Sequence, residues 1–69
     1  MERTPVTSKT IRSIGYDPNS ATLEVEFNSG AIYQYANIPQ GEFDGLMGAD
    51  SQGTYLNTRI KGRYSYVKL

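Results

Sequence analysis

The sequence predicts an α+β fold, in which an antiparallel sheet of three to four strands carries two short helices packed on one face. Two observations lead to this prediction. Residues 22–27 alternate between apolar and polar side chains, which is the period-2 pattern of a half-buried antiparallel strand. Residues 39–60 instead place apolar side chains three and four positions apart, as amphipathic helices do. The predicted order of elements is strand, strand, strand, helix, helix, strand.

The chain of 69 residues is expected to form a single domain. Its core must be small, because a chain of this length buries only about 60% of the surface that its unfolded form exposes. Its first five or so residues are expected to fray. It has no cysteine and no histidine, which excludes a disulfide framework, a zinc finger and imidazole catalysis. We expect no metal and no cofactor. No segment approaches the ~20 apolar residues of a membrane span, so we expect a cytoplasmic protein without membrane contact.

The first two strands are predicted at residues 10–16 and 22–27. The first segment is rich in β-branched residues, and a strong turn signal separates it from the second. Pro18 fixes φ in this turn, while Asp17 and Asn19 can bond their own backbone.

The loop of residues 28–30 decides which face the next strand presents. A two-residue turn would need positive φ at a serine, whereas a three-residue loop needs it only at the closing glycine. The three-residue loop pairs Val25 with Tyr33 and Leu23 with Tyr35. On that register both tyrosines join the apolar face of the sheet.

A short helix is predicted from about Pro39 to Ala49, with Pro39 as its first helical residue. Gly41, Gly45 and Gly48 lie on one stripe of this helix, and each costs roughly 1 kcal/mol relative to alanine. The helix must therefore be held by tertiary contacts, or must let another part of the chain come close.

A second helix is predicted after residue 50. Either Asp50 or Ser51 can cap its N-terminus, and Leu56 and Ile60 form its buried stripe. Gly62 stands where a left-handed residue is wanted at the end of a helix.

The positive charges of the chain are concentrated near its end. Residues 13–58 contain no lysine or arginine but most of the acids. The net charge of zero is therefore the sum of an acidic central segment and a basic segment near the end of the chain, which we call the two charged poles. Residues 64–69 alternate again and are predicted to form the last strand. The basic set has no acid within it and consists of Arg59, Lys61, Arg63 and Lys68. Such a set suits phosphate contacts. The alternative is a solvated face that pairs with the acids of the strands and helices.

Tyrosines and one asparagine accompany these cations. Tyr33 and Tyr35 either stack on bases or complete the core, and the same alternatives hold for Tyr64 and Tyr66 beside the cations. The residues that we predict to bind a ligand are Arg59, Lys61, Arg63, Tyr64, Tyr66, Lys68, Tyr55, Asn57, Tyr33 and Tyr35.

Four blocks of the chain, in this order, closely resemble the KTSC domain: residues 11–17 (IRSIGYD), 23–27 (LEVEF), 33–35 (YQY) and 51–57 (SQGTYLN). The resemblance covers about residues 6–68. The chain departs from the family pattern at Lys9, where a second serine is usual, and at Leu56, where phenylalanine is usual. The family occurs at the C-terminus of some lysyl-tRNA synthetases and as small bacterial and phage proteins. The resemblance implies an RNA-binding role, in part from that attachment.

These observations favour a non-catalytic binding module, with single-stranded or structured RNA as the expected ligand, over an enzyme. The closely spaced carboxylates are explained by strand alternation and helix solvation, and there is no glycine-rich phosphate loop. A sequence pI near 6.1 argues against a binder of long duplex. Two alternatives are a protein-interaction or assembly module that uses the two charged poles, and capture of a small phosphorylated nucleotide.

Overall fold

The computed structural model describes all 69 residues, and its sheet has five antiparallel strands in sequential order. The strands are β1 (Thr4–Pro5), β2 (Ile11–Asp17), β3 (Thr22–Phe27), β4 (Ile32–Tyr35) and β5 (Tyr66–Lys68). Between β4 and β5 the chain forms α1 (Gln40–Gly48), α2 (Gln52–Tyr55) and a π-helix (Leu56–Ile60). None of the helices is long and apolar enough to cross a membrane. The α+β class is confirmed, with more strands than predicted.

The β3–β4 hairpin has the predicted register. Leu23 pairs with Tyr35 and Val25 with Tyr33. The loop is closed by a hydrogen bond of 2.9 Å from the Phe27 amide to the Ala31 carbonyl. Gly30 has a φ of 96°, in the left-handed region that a three-residue loop requires at its glycine. Both tyrosines therefore lie on the apolar face.

The core lies between this face and the helices. Nine hydrophobic residues are buried there: Ile11, Ile14, Leu23, Val25, Tyr35, Ile38, Leu46, Leu56 and Ile60. The predicted buried stripe of the second helix is confirmed, but the backbone that carries it is α-helical only as far as Tyr55. The amide of Lys61 then donates to the Leu56 carbonyl at 2.7 Å, which is the five-residue spacing of a π-helix.

The predicted helix boundaries shift slightly. Pro39 has extended backbone angles and precedes α1, rather than being its first helical residue, and its carbonyl accepts from Glu42 and Phe43. Of the two candidate caps for α2, Ser51 is the cap: its Oγ accepts from the Thr54 amide at 3.3 Å. Gly62 has the expected left-handed φ, at 84°.

The first residues, which were expected to fray, have partners on the sheet in this structure. Thr4 and Pro5 pair with β2, and Arg3 forms an ion pair with Glu24. Gly15 lets the N-terminal segment lie close to the sheet, because a Cβ there would be 2.7 Å from the Glu2 carbonyl oxygen. The N-terminal segment is held by partners on the sheet that lie far from it in sequence.

The outer face of the sheet is less solvated than the alternation predicts. Glu24 is only 6% exposed, and it accepts from Gln34 at 2.8 Å as well as from Arg3. The Gln34 hydrogen bond is the largest influence that lowers the pKa of Glu24; burial opposes it, and Arg3 adds to it. Glu26 has its own partners in Ser13 and Arg12. These strand acids are therefore engaged by residues other than the basic set.

Replacement of Tyr35 by alanine is expected to lower the free energy of unfolding by about 3–5 kcal/mol, since a 2% exposed aromatic side chain is lost from the core. Tyr66→Ala removes the same atoms from a side chain that is 54% exposed, and should have a smaller effect. Urea denaturation of the two variants measures both values. Equal small losses would contradict the placement of Tyr35 in the core.

Glu24 is expected to stabilise the fold only while it is ionised. Its pKa is lowered in the folded protein, so its contribution is present above the unfolded-state pKa of about 4.3 and is lost as pH falls through the lowered value. Glu24→Gln should therefore unfold at lower urea than the wild type at pH 7, and the difference should shrink in acid. A difference that stays constant from pH 7 to pH 3 would contradict this account.

Candidate functional site

An open groove of about 530 Å³ lies on the apolar side of the sheet, where the β3–β4 loop meets the π-helix and the loop before β2. A neighbouring polar compartment shares three of its lining residues, so we call this one the aromatic half of the groove. It is lined by Lys9, Thr10, Phe27, Asn28, Ser29, Ala31, Tyr33, Tyr35, Leu56, Asn57, Lys61 and Tyr66. Three segments that are distant in sequence thus form one concave surface.

Three tyrosines from β4 and β5 form one aromatic cluster in this groove. The ring centroids of Tyr33 and Tyr66 are 5.2 Å apart, with an interplanar angle of 21°. Tyr35 lies 5.7 Å from Tyr66 and 6.4 Å from Tyr33, and Phe27 meets Tyr33 edge-on at 5.4 Å. The pairing of Tyr35 with Tyr66 across the strands places these rings on the same face. The cluster runs from the buried Tyr35 to the exposed Tyr66.

The hydroxyls of these three tyrosines have no acceptor within the chain, in contrast to those of the other three. Tyr16 donates to the Ile38 carbonyl, and Tyr55 and Tyr64 both donate to Glu42. No buried polar side-chain atom lacks a partner, so the Tyr35 hydroxyl reaches accessible space. Burial, followed by the neighbouring Tyr33 and Tyr66, raises the pKa of Tyr35 further above neutral pH, where its hydroxyl is a donor. The groove thus offers unpaired phenolic donors.

Two lysines give the aromatic half a positive charge, and no acid lines it. Lys61 follows the π-helix, whose Leu56 and Ile60 are anchored in the core. Lys9 lies in the loop before β2, where Asn28 donates to the Lys9 carbonyl at 2.9 Å and so ties this loop to the hairpin. The backbone of both lysines is thereby held at the groove, while their side chains are exposed.

A second group of predicted residues lies around Glu42 on α1. Tyr55 and Tyr64 donate to its two carboxylate oxygens at 2.6 and 3.1 Å, and Arg59 lies 5.7 Å from the centroid of the Tyr55 ring. The Tyr55 hydrogen bond is the main cause that lowers the pKa of Glu42; burial acts against it, and Tyr64, Arg63 and Arg59 lower the pKa further. The Glu42 hydrogen bond is the main cause that raises the pKa of Tyr55, whereas burial is the main cause that raises the pKa of Tyr64, and Glu42 adds to it. Tyr55 and Tyr64 therefore have partners within the chain.

The ten predicted ligand-binding residues are thus divided by the fold. Those that line the groove are Tyr33, Tyr35, Asn57, Lys61 and Tyr66, whereas those around Glu42 are Tyr55, Arg59, Arg63 and Tyr64. Lys68 lies on β5 opposite Tyr33, outside the groove lining. Lys9, Thr10 and Asn28 also line the groove, but they are not among the residues predicted to bind a ligand. A side-chain amide in a tight loop is a local signal that could have pointed to Asn28, but its partner lies 19 residues away.

Comparison with known proteins identifies the family. The sequence model of the KTSC domain family matches residues 7–64, so the chain belongs to this family. An uncharacterized protein of Stutzerimonas stutzeri (strain A1501) is 42% identical over 70 residues, covering 100% of this chain and 99% of that protein. A crystal structure of a KTSC domain protein from Yersinia pestis is similar with a TM-score of 0.96 at 38% identity, covering 99% of this chain and 96% of that one.

A lysine–tRNA ligase of Nostoc sp. (strain PCC 7120) is 39% identical to this chain over 59 residues. The aligned part covers 86% of this chain and 10% of the ligase. The domain therefore also occurs as a small part of a much larger enzyme. The resemblance inferred from the four sequence blocks is confirmed.

Two glycines of α1 provide a test of whether the close approach of Tyr55 to α1, where it bonds Glu42, matters for stability. A Cβ at Gly45 would overlap the Tyr55 ring and hydroxyl, whereas a Cβ at Gly41 would meet nothing within 4 Å. Gly41→Ala should raise stability by about 0.5–1 kcal/mol through helix propensity. Gly45→Ala should lose that gain, because Tyr55 must leave Glu42. Thermal unfolding of the two variants checks this expectation, and equal stabilisation would show that the close approach of Tyr55 is unimportant.

Proposed function

We propose that this protein is a non-catalytic RNA-binding module, which takes a short single-stranded segment into the aromatic half of the groove. The observation that carries the proposal is the combination found there: three clustered tyrosines with unpaired hydroxyls beside two lysines, with no acid in the lining. A flat base and a phosphate each have a suitable partner in such a site.

The exposed ring of Tyr66 supplies the stacking surface. It is the outermost member of the cluster, and Tyr33 stacks against it at 5.2 Å from within the groove. Stacking of a base on an aromatic ring contributes roughly 1–3 kcal/mol in single-strand binders. Because Tyr33 and Tyr35 support Tyr66 from the core side, the ring is held in place before a base arrives.

Lys9 and Lys61 supply the phosphate contacts. They lie on different segments of the groove wall, and neither forms an ion pair with an acid of the chain. Arg59 and Arg63 do not line the groove and lie near Glu42, which partly offsets their charge. The expected phosphate-binding residues are therefore the two lysines, rather than the whole basic set.

The dimensions of the groove favour a single strand over a duplex. A volume of about 530 Å³ is within the usual range of sites for small ligands, and it suits about one nucleotide. Together with the net charge of zero, this argues against contacts along a double helix. The presence of a similar domain in a protein named lysine–tRNA ligase supports RNA as the polymer.

A free phosphorylated nucleotide is the second candidate, and the same small volume favours it. The two ligands differ in how affinity depends on length. If RNA is the ligand, oligonucleotides of four to six residues should bind more tightly than a ribonucleoside monophosphate, because further phosphates lie within the field of the two lysines. Equal affinity for both would favour the nucleotide.

The RNA proposal predicts distinct salt dependences for distinct variants. For wild type and variants, the affinity for a short mixed-sequence RNA is measured by fluorescence anisotropy over a range of salt concentrations. Lys9→Gln and Lys61→Gln should each flatten the slope of log K against log salt by about 0.7, since each loses one phosphate contact. Tyr66→Ala should weaken binding with little change in slope, because stacking releases no counterions.

Arg63→Gln is the matched control, since it removes one positive charge outside the groove lining. It should change the slope less than Lys61→Gln does. Absence of measurable affinity for RNA at low salt in the folded wild type would refute the proposal. A loss that is larger for Arg63→Gln than for Lys61→Gln would move the site to the Glu42 side of the molecule.

A further inference from the structure

The groove continues beyond its aromatic half into a second compartment of about 680 Å³, which we call the polar half. It is formed by the loop of residues 7–10 and by residues 50–54, and none of its ten lining residues is hydrophobic. Lys9, Thr10 and Asn57 line both halves. A ligand whose ring lies against the tyrosines can therefore extend directly into a compartment of hydroxyl, amide and charged groups.

The walls of the polar half are held close together by contacts within the chain. A Cβ at Gly53 would be 2.6 Å from the Thr10 hydroxyl oxygen, so glycine permits this approach of α2 to the loop without a shift of the Thr10 side chain. The loop itself is fixed because the Ser8 hydroxyl oxygen accepts from the amides of Thr10 and Ile11 at 3.3 Å. The compartment is thus formed before any ligand binds.

The two halves differ in charge. The aromatic half is lined by two lysines and no acid, whereas the polar half is lined by Lys9 and Asp50, whose charges cancel. A phosphate is therefore favoured in the aromatic half, and a neutral group rich in hydroxyls is favoured in the polar half.

Asp50 is available to such a group. Both Asp50 and Ser51 were suitable caps for α2 by sequence, but Ser51 caps the helix and also donates to the Thr54 hydroxyl at 3.0 Å. The Asp50 carboxylate takes part in neither of the two ion pairs of the chain. No other side chain of the protein donates a hydrogen bond to it. An ionised carboxylate is an acceptor only, so its partner has to be a donor.

We propose that the polar half holds the ribose of a ribonucleotide whose base lies in the aromatic half, and that Asp50 accepts a hydrogen bond from the ribose 2′-hydroxyl. This inference rests on the proposed function and adds that the groove selects RNA over DNA. Base and ribose are directly bonded, which agrees with the residues shared by the two halves. A carboxylate that bonds the 2′-hydroxyl is a known solution in dinucleotide-binding proteins, and this hydroxyl distinguishes RNA from DNA.

The test compares three oligonucleotides of one sequence: RNA, DNA and 2′-O-methyl RNA. The affinity of the full chain for each is measured by fluorescence anisotropy at low salt. RNA should bind about tenfold more tightly than DNA, the size expected for one hydrogen bond to a charged group. The 2′-O-methyl RNA should bind as weakly as DNA, because its 2′-oxygen can accept a hydrogen bond but has no proton to donate.

Asp50→Ala should bring the ratio of RNA to DNA affinity close to one, with DNA affinity unchanged or slightly raised by the loss of a negative charge. Asp44→Ala is the control, since it removes the same charge from a residue outside both halves of the groove. It should keep the wild-type ratio. Use of the ratio separates the contact with the 2′-hydroxyl from the general effect of charge.

Each remaining outcome is decisive. Equal binding of RNA and DNA, strong binding of 2′-O-methyl RNA, or an unchanged ratio in Asp50→Ala would overturn the ribose assignment while leaving single-strand binding in place. No binding of any oligonucleotide by the folded protein would overturn the proposed function and this inference together. A ribonucleoside 5′-monophosphate that binds as tightly as the oligomer, and more tightly than its 2′-deoxy form, would support the ribose contact with a free nucleotide as its source.

Discussion

The register of the β3–β4 hairpin is the constraint on which the rest of the structure depends. Because successive side chains of a strand face opposite sides, a slip of one residue would turn Tyr33 and Tyr35 to the outer face. The left-handed Gly30 fixes the loop length and prevents this slip. The register pairs Tyr35 with Leu23, and this position gives the Tyr35 ring two roles. The ring is part of the buried core, and it also contacts Tyr66, the exposed member of the aromatic cluster in the groove.

The chain uses its tyrosines in two ways. Tyr55 and Tyr64 donate hydrogen bonds from their hydroxyls to the Glu42 carboxylate, and these bonds join α1 to the segments that follow it. In the groove, the rings contact one another and the hydroxyls remain unpaired. The two groups of tyrosines differ in whether their hydroxyls have a hydrogen-bond acceptor within the chain. It explains why a stretch of tyrosines and cations that looks uniform in sequence separates into a structural group and a candidate binding surface.

Local signals predicted much of this fold. Loop length gave the hairpin register, and spacing gave the buried pair Leu56 and Ile60. Contacts between distant segments were not predictable, such as Arg3 with Glu24, because neither residue carries a local sign of its partner. For the same reason half of the predicted site residues line the groove, while Lys9, from near the other end of the chain, was missed. The π-helix also redirects the chain in a way that helical periodicity does not anticipate.

The central claim is that the aromatic half of the groove is where RNA binds. Backbone amide chemical shifts, followed by NMR during addition of a short single-stranded RNA, test it most directly because they report on every segment at once. Changes are expected at residues 9–10, 28–31, 57–61 and 66, and at residues 50–54 where the ribose is proposed to lie, with the exposed face of α1 unaffected. Changes confined to the surroundings of Glu42, or none at all in the folded protein, would contradict it.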